Sequence, residues 1–261
     1  TWINTDSDGP HYIYSAKYIM PSHKSSAPLY LLISHLFLYL PFGTEAARMA
    51  LISVLSGITG CILIYLIIKL KTNNRYYSIA GTLIYGSSAL AISQNTIVES
   101  YPLLVTTSLA IYYFALKSKW KLTSLMMGIA GAIHPLAAMV IIPILLSYKQ
   151  MRNFKILAIG GLFILFYLYI PITNRPPYMW HEQNNSTFGI GFIRDTIDTA
   201  QMLSGGLSIW DFPKRIFDTI GQIGLNLTIG IIPLFILFWK TKWYKNILFW
   251  LIILPVIYYM T

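Results

Sequence analysis

Residues 44–68, TEAARMALISVLSGITGCILIYLII, are followed at once by Lys69 and Lys71. After Arg48 the stretch carries twenty residues without a charge, which matches the roughly 20 residues of helix that a bilayer core requires. It reads as a membrane span with a basic end, and the sequence on either side is read outward from it.

The whole chain has the same character. Of its 261 residues 56% are hydrophobic and 11% charged, with a mean hydropathy of +0.59, outside the range of soluble domains. Basic clusters punctuate the apolar runs: Lys69, Lys71 and Arg75; Lys117, Lys119 and Lys121; Lys149, Arg152 and Lys155; Lys240, Lys242 and Lys245. None contains an acid. All nine acids, Asp6, Asp8, Glu45, Glu99, Glu182, Asp195, Asp198, Asp211 and Asp218, fall in the segments between. The positive-inside rule predicts that the clusters are cytoplasmic and the acids extracytoplasmic (lumenal in an ER membrane). The net charge of +10 then reports orientation, and no nucleic-acid partner is expected. The single cysteine, Cys61, lies in an apolar run, so no internal disulfide forms and a packing role is expected.

Charge fixes the expected crossings. Residues 44–68 cross inward. Residues 76–116 go out and back, turning near Gln94 to Pro102. Residues 122–148 must do the same with about 13 residues per leg, or about 20 Å of helix, so the turn at His134-Pro135 is expected below the outer surface. Residues 156–172 go out, 217–239 return, and a last helix starts at Asn246. Residues 27–42, too short to cross, are expected as an interfacial helix ended by Pro41-Phe42-Gly43. The fold class is thus an all-α polytopic transmembrane bundle, one integral membrane domain over 1–261. Residues 1–43 form the first outer loop, 44–172 and 217–261 the transmembrane helices, and 173–216 a further outer loop. Because residue 1 is Thr and the apolar run 249–260 closes the sequence, the chain reads as a fragment lacking the first and last helices.

Polar constellations gather on the outer side. Thr5-Asp6-Ser7-Asp8-Gly9-Pro10-His11-Tyr12 sets two carboxylates and a histidine before a helix start. Proline at the first helical position places Asp8 just before the cap, and the local reading is helix capping by Asp6, Ser7 or Asp8. Glu99, between Thr96-Ile97-Val98 and Tyr101, either snorkels to the interface or needs a partner or water-filled cavity. A carboxylate at membrane depth costs roughly 2.5–3.5 kcal/mol on insertion scales. His11, His23 and His134 with two carboxylates make no metal motif by spacing; no metal site is assigned and no cofactor is required, a divalent cation being the one alternative. Arg48, Lys24 and Arg175 are candidates to hold a phosphate, or else interfacial anchors and headgroup contacts. In the loop 173–216, Trp180, Phe188, Phe192 and Trp210 either cover an acceptor groove or form an interfacial aromatic belt.

Several stretches together resemble the GT-C glycosyltransferases, multi-pass enzymes that take sugars from polyprenyl-phosphate carriers. These are Asp8-Gly9-Pro10-His11-Tyr12, His23, Pro28-Leu29-Tyr30, and Leu40-Pro41-Phe42-Gly43 with Arg48. Ser93-Gln94 with Glu99 and Tyr101, Gly131 with His134, and Tyr167-Leu168-Tyr169-Ile170-Pro171 with Pro176-Pro177 and Trp180 resemble the protein O-mannosyltransferase-like branch. The chain departs from the common pattern in having His11 where an acid is frequent, Lys24-Ser25-Ser26-Ala27 after His23, and Thr173 where an arginine is common.

The resemblance implies a transferase that moves a sugar, mannose by the branch, from a polyprenyl-phosphate donor to a protein or glycan hydroxyl, with inversion. Asp8 is then the base and Glu99 a second catalytic residue that orients the partners of Asp8, binds sugar hydroxyls or holds a divalent cation, while His11, His23, Lys24, Arg48, Gln94, Tyr101, His134, Arg175 and Trp180 bind substrate. The rival readings are a lipid-linked saccharide translocase and an inactive assembly subunit.

Overall fold

The computed structural model of the chain describes residues 8–20 and 27–168. Expectations for Asp6, His23, Lys24, Arg175, Trp180, the loop 173–216 and the spans from 217 onward lie outside the described residues. Among the described residues every regular element is a helix and no strand occurs.

Helix α3, Glu45–Thr72, is the longest, and it is the one described helix long and apolar enough to cross a membrane. Its ends are specified by local chemistry. The Ala47 N–H donates to Thr44 Oγ1 at 3.2 Å, Glu45 sits in the first turn and Lys69 and Lys71 in the last, each sign matching the helix dipole. Asn73 stops it in the left-handed region (φ 49°), returning its N–H to the Lys69 carbonyl.

In front of α3 lie α1, Gly9–Tyr18, and α2, Pro28–Phe37, each with a proline in its first turn. The expected interfacial helix over 27–42 is shorter than read. It ends at Phe37, and residues 38–43 turn, with Gly43 at φ 67°. Arg48 holds that turn: Nε donates to the Phe42 carbonyl at 2.9 Å, Nη2 to Gly43 at 3.0 Å and Nη1 to Leu38. The guanidinium therefore spends its fork on backbone carbonyls of that turn.

After α3 the chain reverses at Asn73-Asn74 into α4, Arg75–Gly86, packed along α3. The outward leg is not continuous as expected; Ser87 and Ser88 interrupt it, and Ser88 caps the short α5, Ala89–Asn95. Helix α6, Tyr101–Leu116, returns, followed by α7, Trp120–Ile133. The backbone then breaks at His134-Pro135, as the leg-length argument required, passes a 3-10 turn over Pro135–Ala137, and continues as α8, Ala138–Ser147. The Trp120 and Tyr148 rings lie 5.4 Å apart, so α8 comes back to the end from which α7 left. A 3-10 turn, Lys149–Arg152, leads into α9, Phe154–Gly161, which tightens into 3-10 geometry over Leu162–Leu168.

This path segregates charge. Lys69 and Lys117 line one cleft, and the Trp120–Tyr148 contact brings the clusters around Lys119 and Lys149 to the same end. At the opposite end Lys17 pairs with Glu45 at 2.8 Å, beside the turn that carries Glu99.

Small residues let the backbones approach. Buried Ala46, Ala50, Ser53, Gly57 and Gly60 repeat every three or four residues along one face of α3. Thr106 Oγ1 donates to the Ser56 carbonyl at 2.6 Å, tying α6 to that seam. Between α7 and α9 a Cβ on Gly128 would sit 2.2 Å from the Gly160 carbonyl oxygen, and the Gly160 N–H donates to Ser124 Oγ at 3.1 Å. Because the obstacle is backbone, Gly128→Val is expected to lower stability by about 1–3 kcal/mol. A Cβ at Gly131 meets nothing within 4 Å, so Gly131→Ala changes little. Melting of the two variants in detergent tests the close α7–α9 crossing.

Candidate functional site

The turn between α5 and α6, residues 96–100, gathers the candidate residues. Its position is set by α3, where Ser53 Oγ donates to the Glu99 carbonyl at 3.2 Å. Val98, Glu99 and Ser100 are all buried, and the Glu99 residue is only 6% exposed. Its Oε2 has no hydrogen-bond partner among the described residues. The snorkelling reading of Glu99 is therefore corrected: the carboxyl points inward because the turn is anchored beneath α1 and α2.

Those helices close the site with two tyrosines. Tyr12, on α1, is 1% exposed and its hydroxyl lies 3.2 Å from Ser100 Oγ; Tyr30, on α2, is fully buried. Their rings meet edge to face with centroids 5.0 Å apart. Burial, together with the Glu99 charge, pushes both phenols well above their usual pKa, so they stay neutral hydroxyls.

Asp8 lies at the same place. It occupies the cap position of α1, one residue later than the sequence reading placed it, and its side chain makes no cap bond. The capping interpretation of Asp8 therefore fails, because α1 begins in helical geometry at Asp8 and its first bond runs from the Tyr12 N–H to the Asp8 carbonyl at 2.9 Å. The half-buried Asp8 is near enough to Glu99 for the two charges to interact. Desolvation first, then the charge of Asp8, raise the Glu99 carboxyl to about 7, against a smaller opposing pull from the Ser100 backbone N–H. A carboxyl at that value is part acid, part base near neutral pH, the property that general acid–base chemistry uses.

The remaining candidates divide. Tyr101, 38% exposed, and His134 stand with ring centroids 5.5 Å apart, so the His134 turn does meet the Glu99 turn. His134 Nδ1 accepts from the Leu136 N–H at 3.1 Å, which orients the ring. His11 is half-buried one turn along α1 from Asp8, and Gln94 is half-buried on α5. Arg48 is engaged at the 38–43 turn as described. Among the described residues no group of three His, Cys, Asp or Glu side chains could hold a metal ion.

Sequence reasoning quoted Tyr12 and Tyr30 without giving them a role, and it missed Ser53, Ser100 and His35. The signal for the tyrosines is their place two residues after Pro10 and Pro28, on the faces continued by Ala16 and Ser34. His35 joins α1 to α2, with Nδ1 2.7 Å from the Ala16 carbonyl and Nε2 3.1 Å from the Tyr39 hydroxyl.

No family model, curated protein or solved structure matches the chain.

Glu99 sets a pH dependence. Its folded-state value, about 7, lies above the ordinary carboxyl value of 4.5, so the folded chain binds the proton more tightly than the unfolded one. Stability is expected to be highest below about pH 4.5, to fall as pH rises to about 7 by on the order of 2–3 kcal/mol, and then to level off. Glu99→Gln is expected to flatten that slope when melting temperature is followed against pH.

Proposed function

We propose that the chain is a polytopic membrane glycosyltransferase that moves a sugar from a polyprenyl-phosphate donor to a hydroxyl acceptor at the extracytoplasmic face. Mannose is the sugar and a protein or glycan hydroxyl the acceptor, with Asp8 as general base. The observation that carries the reading is that Asp8 interacts with the buried Glu99 carboxyl, whose Oε2 has no hydrogen-bond partner among the described residues, at the acidic end of a charge-segregated helical bundle.

Chemically, Asp8 takes the acceptor hydroxyl proton as that oxygen attacks the anomeric carbon. The bond to the phosphate oxygen breaks, the phosphate leaves with the electron pair, and the anomeric centre inverts. Glu99, protonated for part of the population, donates a hydrogen bond to a sugar hydroxyl. Tyr101 and His134 flank the sugar, and His11 and Gln94 bind at its edge. His23, Lys24 and Arg175 neutralise the leaving phosphate, and Trp180 covers the acceptor. The basic clusters face the cytoplasm.

One further observation favours a one-sided enzyme over a translocase. A translocation path places ionisable groups along its spans, whereas α4 to α9 carry no acid at all.

Membranes carrying the chain, incubated with radiolabelled polyprenyl-phosphate mannose or glucose, are expected to transfer label from the mannosyl donor. Asp8→Asn at equal expression is expected to lower transfer by at least about 100-fold and Glu99→Gln by less. Unchanged transfer in Asp8→Asn would remove Asp8 as the base, and no transfer from either donor would return the chain to the translocase and inactive-subunit readings.

A further inference from the structure

The small-residue seam of α3 ends at Gly60. From Cys61 to Thr72 no residue of α3 is buried by the described chain, and the helix leaves a cleft against the last turn of α6. The cleft has a volume of about 320 Å³ and is lined by Leu66, Leu70 and Tyr113 with Lys69, Asn73 and Lys117. That volume is at the lower end of small-ligand sites, roughly 300–1,000 Å³.

Its electrostatics are one-sided. The ion pair between Lys17 and Glu45 is the only one among the described residues, and it lies at the opposite end. Among the described residues neither Lys69 nor Lys117 has a carboxylate partner. The Lys69 ammonium has only a long 3.4 Å contact to the Asn73 carbonyl, because the left-handed Asn73 satisfies the Lys69 carbonyl with its own N–H. Two cations therefore stand over a leucine and tyrosine wall. Exposed Ile62, one turn below Leu66, extends that wall toward the middle of the span.

We infer that this cleft is a binding site for an anionic phospholipid, its phosphate between Lys69 and Lys117 and its acyl chain along Ile62, Leu66 and Leu70. A free phosphate has no use for the apolar wall, and a zwitterionic lipid gains nothing from two unneutralised lysines. The inference rests on the membrane reading of the bundle and is independent of sugar transfer.

The test uses the full chain purified in neutral detergent, with phosphatidylglycerol, phosphatidylcholine or inorganic phosphate added. Lipid retained by native mass spectrometry and the rise in melting temperature are measured. Phosphatidylglycerol is expected to be retained and to raise the melting temperature, and the other two are not. Lys69→Gln with Lys117→Gln is expected to weaken retention by about thirtyfold. Lys71→Gln with Lys119→Gln removes the same charge outside the cleft and is expected to stay within about twofold. Leu66→Trp, which fills the cleft and keeps both charges, is expected to abolish retention, and it decides the matter if the double variant does not fold. Equal losses in the two double variants would overturn the site, as would equal retention of phosphatidylcholine or equal protection by phosphate. A chain that stays dispersed without detergent would instead remove the membrane reading on which the site rests.

Discussion

The Ser53 hydroxyl reaching the Glu99 carbonyl is the contact on which the arrangement of the acidic end depends. It works because α3 presents Ala46, Ala50, Ser53, Gly57 and Gly60 on one face, so that neighbouring backbones come within hydrogen-bonding distance. Close approach of this kind lets polar side chains cross-link neighbouring helices. Thr106 on Ser56, one turn further along, repeats the device, and Gly57 leaves room for the Asn95 side chain, which a Cβ would meet at 2.5 Å. The turn between α5 and α6 is thereby held at a fixed height on α3.

Once that turn is fixed, the rest of the site follows from what covers it. Tyr12 docks on Ser100, Tyr30 docks on Tyr12, and His35 clasps α1 to α2. The lid so formed excludes water from Glu99, and the same burial that costs the carboxylate its solvation brings Asp8 against it. The two phenols stay neutral in this setting.

The opposite end is governed by repulsion and solvation. Lysines and Arg152 close the helices there, where their charges meet the helix C-terminal dipoles of α3 and the 3-10 turn after α8. Arg152 spends its guanidinium on the carbonyls of Leu145 and Leu146 at 3.1 and 2.9 Å, as Arg48 does at the other end. Arg152 thereby satisfies carbonyls in the last turn of α8, and Arg48 those of the turn that follows α2. Lys69 makes only a long 3.4 Å contact to the Asn73 carbonyl.

The sequence by itself determined the helical class, the presence and start of α3, and the break at His134-Pro135; that α3 runs on to Thr72, past the expected end at Ile68, appeared only in the structure. Apolar length and a proline after a histidine are local signals acting through backbone geometry. It also separated the charges between two ends, because the order of basic clusters along the chain obliges alternating directions. It left open whether Asp8 caps α1 and whether Glu99 faces lipid or protein, and it did not read the hold of Arg48 on the 38–43 turn. It did not read the break at Ser87-Ser88 or the early end of α2. Those were decided by tertiary structure alone. Whether a carboxyl is buried beside another depends on which small residue of a helix 46 positions away accepts its turn, and no local pattern encodes that distance.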